Sequence, residues 1–137
     1  MPRAKVIITD FITEPLDDEQ RTLGDLAEVT ALDAHGEDEL IGRIEDADAL
    51  MVYHCIQFTA RVIERLTRCK LIVRCGVGFD NVDHAFAGTR GIPIANIPDY
   101  GTEDVADTAI AMMMMLARGV HLMNSRLRRR EGAWHYT

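Results

Sequence analysis

The sequence predicts an α/β fold: a doubly wound, five-stranded parallel sheet followed by one long helix. Three observations lead there. Five short apolar runs rich in β-branched residues are separated by amphipathic stretches. The connections between them are about a dozen residues or longer, enough for crossover helices and too much for hairpins. From Gly101 onward the pattern becomes purely helical. A sheet of this kind is expected to be covered on both faces, and its simplest five-stranded form is flavodoxin-like.

Each element follows from its residues. Residues 5–10 form an apolar run closed by Asp10, the first strand, buried on both faces. Residues 14–24 are polar with scattered leucines and end on Gly24, a short helix with a glycine stop. Residues 27–34 alternate as a second strand. Residues 37–47 place Leu40, Ile41 and Ile44 on one stripe between charges, which predicts an amphipathic helix. The third strand covers 49–54. Thr59 then caps a helix that turns Val62, Ile63 and Leu66 inward. Residues 71–75 are the fourth strand, 82–89 a short helical piece, and 92–97 the fifth strand.

Beyond Gly101, Thr102 is the expected N-cap, acids fill the first turns and arginines crowd the far end. A single helix over 103–130 would span roughly 40 Å at about 1.5 Å per residue, longer than the preceding domain is wide. Its apolar stripe, including Met112, Met113, Leu116 and Val120, broadens to nearly the whole circumference in the middle turns. Such a segment belongs in a larger core or against a partner helix, so self-association through 103–130 is expected.

At 137 residues, 47% hydrophobic and 27% charged, the chain has the composition of a globular domain and not of a disordered or collagen-like one. Net charge is −7, and residues 1–50 carry 14 acidic against 4 basic side chains. An acidic surface gains little from a phosphate backbone, which argues against nucleic acid as a partner. The group Arg126, Arg128, Arg129 and Arg130 reads as a solvated helix end or an anion patch. Cys55, Cys69 and Cys75 are odd in number and lack C-x-x-C spacing, which fits a reducing compartment. No apolar run exceeds the nine residues of 109–117, about half a membrane span, and no secretory leader is visible, so a cytoplasmic location is expected and no membrane partner.

Open α/β sheets bind ligands beyond the carboxyl ends of their strands. There the chain reads Arg74-Cys75-Gly76-Val77-Gly78-Phe79-Asp80-Asn81-Val82-Asp83. Two glycines allow a tight turn that brings peptide N–H groups close to a carboxylate or phosphate. The dinucleotide pattern G-x-G-x-x-G fails at Asn81, despite Asp99 downstream. His54 and Arg74 end adjacent strands; Arg offers a planar fork to a carboxylate and His a hydrogen bond, although His54 alone also reads as a rim histidine. Asp80 and Asp83 fix the loop and cap the following helix. No nucleophilic triad, P-loop or zinc spacing occurs, and His35, His84, His121 and His135 lack metal-ligand spacing.

The string DALMVYHC…CKLIVRCGVGFDNVD…AGTRGIPIANIPDYGTEDVADTAIAMMMML resembles the NAD-dependent D-2-hydroxyacid dehydrogenase family, nearest the subgroup of C-terminal binding proteins and phosphoglycerate dehydrogenase-like members. The likeness spans nearly the whole chain through three ordered motifs. It implies that residues 1–100 are a flavodoxin-like substrate domain. Residues 101–137 would then be a linking helix that leads into a Rossmann domain carrying the NAD site beyond Thr137. It further implies a 2-hydroxy or 2-keto acid as substrate, held by the backbone amides of Val77 and Gly78 with Arg74 and His54 assisting. Asn96 and Pro98 match the family's N-x-P turn; Asp107 stands where most relatives have Glu. The family's catalytic residues lie further along a longer chain, so none is assigned here, and this length alone should be catalytically silent. The alternative is a stand-alone acid-sensing or corepressor-like module. A phosphoacceptor receiver fits poorly, because its aspartate position at the third strand holds His54 and Cys55.

Overall fold

Strands β1 (Ala4–Ile8), β2 (Ala27–Ala31), β3 (Ala49–Val52), β4 (Leu71–Arg74) and β5 (Ile94–Asn96) pair in the order β2-β1-β3-β4-β5, all parallel. The computed structural model describes residues 2–129 and residue 132. Arg130, His135 and the expected end of the long helix lie outside the described residues. The chain divides into two compact units, Met1–Tyr100 and Gly101–Thr137.

In the first unit, register aligns Ile7 with Leu50 and Leu50 with Ile72, an unbroken buried row. Phe58, Val62, Ile63 and Ala87 pack on that row, brought by the segment after β3, by helix α2 (Ala60–Ile63) and by helix α3 (His84–Thr89). Burying side chains of this size contributes about 1.5–3 kcal/mol each before chain entropy is counted. The opposite row, Ile8, Met51 and Val73, leaves Met51 and Val73 part-exposed, so the cover expected on both faces is complete on one only among the described residues. Helix α1 (Asp17–Leu23) is short, polar and buries none of its own residues. Gly24 ends it at φ 53°, as the glycine stop requires.

Four expectations are corrected. Residues 37–47 form a single 3₁₀ turn, Glu37–Glu39, and then turns, although Leu40, Ile44 and Ala47 are buried as their pattern demands. Gly42 adopts φ 88°, and the Glu45 carboxylate takes the N–H groups of Gly42 (2.6 Å) and Ile44 (3.0 Å), competing with helical bonding. Thr59 occupies the N-cap of α2, but its hydroxyl and N–H both turn to Glu37 Oε1, at 2.6 and 2.7 Å, and cap nothing. In the second unit the single helix is two, α4 (Thr102–Ala117) and α5 (Val120–Arg129), bent by 68°. Gly119 at φ 62° makes the break: its N–H closes on Leu116 O, and its carbonyl opens the next helix to Leu122 and Met123. Gly101, not Thr102, is the N-cap of α4.

Every described residue of α4 is exposed, including Met112, Met113 and Leu116. No single helix among the described residues is long and apolar enough to cross a membrane.

Candidate acid-binding rim

Parallel pairing puts all five carboxyl ends at one rim. Val52 is in register with Arg74, and Arg74 with Asn96, so the loops that follow β3, β4 and β5 emerge side by side.

At the end of β1, Asp10 is fully buried and spends its carboxylate on the neighbouring loop. Oδ1 accepts from Tyr53 N (2.9 Å) and from the Thr9 hydroxyl (2.6 Å), and Oδ2 accepts from Cys55 N (2.8 Å). These bonds bracket His54. The imidazole itself is exposed and rests against the Phe11 ring, centroids 4.7 Å apart, on the β1 side. Tyr53 lies half-buried beside Phe11 at 5.4 Å. Burial, and then the Cys75 thiol, pushes the Tyr53 hydroxyl up to about 12; burial likewise raises the Cys75 thiol.

The loop after β4 is built on two different glycines. Gly76 is buried, its N–H closes on Arg74 O (2.8 Å) and its carbonyl accepts from Ile97 N (3.0 Å), so it offers nothing to a ligand. What it provides is space. A Cβ at position 76 would stand 1.7 Å from Arg74 Nη1. The guanidinium is therefore seated directly over bare backbone. Val77 and Gly78 are exposed, and their N–H groups have no acceptor among the described residues. Asn96 Nδ2 donates to Val77 O at 2.8 Å and steadies the bend from β5.

Asn81 closes the loop from below. It is 7% exposed, donates from Nδ2 to Tyr53 O and Ile56 O (both 2.9 Å), and accepts from Arg74 Nε (3.3 Å). Asp83 caps α3, its Oδ1 accepting from Phe86 N at 3.0 Å.

Thus His54, Arg74, Val77 and Gly78 share one rim. No hydrogen bond or ion pair joins His54 to Arg74 among the described residues; one leans on Phe11, the other on Asn81. Asp10, Asn81 and Phe11 are the residues that sequence reasoning missed. Asp10 was visible only as the acid closing an apolar strand, and Asn81 only as the residue that spoils a glycine pattern. Chemically, a part-buried guanidinium beside two free peptide N–H groups is a carboxylate-sized donor set. Among the described residues no group of three or more His, Cys, Asp or Glu could hold a metal ion.

The family model for the catalytic domain of D-isomer specific 2-hydroxyacid dehydrogenases matches residues 6–133. The chain belongs to this family. Curated members of the 2-hydroxyacid dehydrogenases resemble it throughout: D-3-phosphoglycerate dehydrogenase of Methanocaldococcus jannaschii is 34% identical over 130 residues, 95% of this chain and 24% of that protein. Hydroxypyruvate reductase of Thermotoga maritima is 34% identical over 125 residues, 90% of this chain and 40% of that one. Among solved structures, D-lactate dehydrogenase of Aquifex aeolicus, crystallised with NAD and lactic acid, superposes with a TM-score of 0.77 at 25% identity, covering 96% of this chain and 39% of its own. The chain therefore spans between a quarter and two fifths of the length of these 2-hydroxyacid dehydrogenases.

Proposed function

We propose that this chain is the substrate-holding part of an oxidoreductase that transfers hydride between NAD(H) and a 2-hydroxy or 2-keto acid. The observation that carries the reading is the juxtaposition of the seated Arg74 guanidinium with the unpaired N–H groups of Val77 and Gly78. An α-acid presents one carboxylate and, on the next carbon, a hydroxyl or carbonyl oxygen. Arg74 and the two amides hold the carboxylate, and His54 supplies a hydrogen bond at the rim. Fixing the acid in this way leaves the reacting carbon oriented for a second component.

The described residues do not themselves fit a dinucleotide. Where a glycine would let a helix start against the strand, Asn81 is buried and bonded, and the six-residue α3 has its first-turn Phe86 N–H already taken by Asp83. NAD binding thus belongs to polypeptide outside this rim, and no chemical step is assigned to these residues. The reading extends to a cytoplasmic enzyme that acts on small acids and forms a homodimer through the apolar faces of α4 and α5.

Two measurements test it. Oxalate, a dicarboxylate analogue of a keto acid, should bind the 137-residue chain and shift the Val77 and Gly78 amide resonances. The same chain should not oxidise NADH with glyoxylate, pyruvate or hydroxypyruvate. Clear turnover, or amides unmoved by oxalate, would refute the assignment.

A further inference from the structure

We propose that Asn81 is a positioning residue of this rim: its buried amide orients Arg74 for the acid and locks the His54 loop to the Arg74 loop. The inference rests on the carboxylate reading above.

The geometry leaves the amide a single orientation. Tyr53 O and Ile56 O only accept, and Arg74 Nε–H only donates, so Nδ2 must face the two carbonyls and Oδ1 must face the guanidinium. Because the amide is planar, pinning Nδ2 to two backbone carbonyls also fixes where Oδ1 points. The loop after β3 thereby becomes the reference frame for the arginine on β4. Asn81's own main chain ties the same loops again, its carbonyl accepting from Phe58 N at 2.7 Å.

The consequence for Arg74 is a choice of edge. With Nε committed to Asn81, the side-on fork of Nε and one Nη is closed to a ligand, and the Nη1/Nη2 end is what remains. That end lies over Gly76, one residue from the free amide of Val77 and two from that of Gly78. Arginine rotamers that a solvent-exposed side chain would sample are removed before the acid arrives, which lowers the ordering cost of binding. Asn81 itself, buried beneath the loop, touches no ligand.

The test begins on the unmutated 137-residue chain. Nitrogen-edited NMR should find the Arg74 Nε–H exchanging slowly with water, and addition of oxalate should move its Nη signals more than its Nε signal. In Asn81→Ala the slow exchange should be lost, and oxalate binding should weaken about tenfold with the Arg74 charge still present. An Arg74 Nε–H that exchanges freely in the unmutated chain overturns the inference, even if Asn81→Ala proves unable to fold. Oxalate binding that requires Arg74 but is undiminished in a folded Asn81→Ala overturns the inference alone. A chain that binds no oxalate at all overturns the carboxylate reading and the inference with it.

Discussion

A single methyl group at position 76 would occupy the space in which the Arg74 guanidinium lies. Gly76 has no positive φ to justify it, so its role is close approach and not backbone freedom. Gly76→Ala should therefore expel the guanidinium while leaving the sheet intact. We expect oxalate affinity to fall about tenfold, close to 1.4 kcal/mol, with little change in Tm. Unchanged affinity would mean that the arginine reaches the acid from another rotamer. The place of Arg74 at a strand end and the turn over Gly76 to Gly78 were legible in the sequence because strand ends and glycine turns are local signals. Asn81 and Asp10 were not, because the backbone groups they hold lie 25 to 45 residues away. Nothing near Asp10 in sequence announces that two N–H groups of another loop will converge on it.

Elements obey the same division between local and distant causes. The strands were readable because consecutive buried residues such as Ile7 and Ile8 leave little alternative to a two-sided strand. The 37–47 segment misled because its apolar spacing satisfies a helix and a series of turns equally, and Gly42 with the Glu45 carboxylate decides between them. The break at Gly119 was visible as a residue but outweighed by the apolar period running through it. At the sheet's amino end, Asp48 joins three elements. Its carboxylate accepts from Lys5 N (2.9 Å) and Arg68 Nη2 (2.8 Å), and its carbonyl accepts from Lys70 N (2.9 Å). The Lys5 N–H, then Arg68, holds this carboxyl below its ordinary 3.8. A depressed carboxyl stabilises the fold in full above its unfolded value and ceases to as pH falls through the folded one. Asp48→Asn should accordingly lower the urea midpoint at neutral pH, with the difference from the unmutated chain vanishing in acid below 3.8. A difference that persists in acid would trace the effect to packing instead of charge.

At the scale of the whole molecule, the two units contrast sharply. The first buries an apolar row beneath α2 and α3, whereas α4 leaves Met113 at 59% and Leu116 at 64% exposed. Contiguous apolar surface of this kind is uncommon on monomers. We expect sedimentation of the 137-residue chain to show association, and Leu116→Glu to reverse it; a clean monomer at high concentration would count against helix pairing. The form such association takes is constrained at the sheet's outer margins. β5 is three residues long and flanked by Pro93 and Pro98, which have no N–H to offer an incoming strand, while β2 sets Glu28 outward on the other margin. Strand addition is disfavoured at the β5 margin. A short edge between two prolines thus guards this side of the sheet against an added strand.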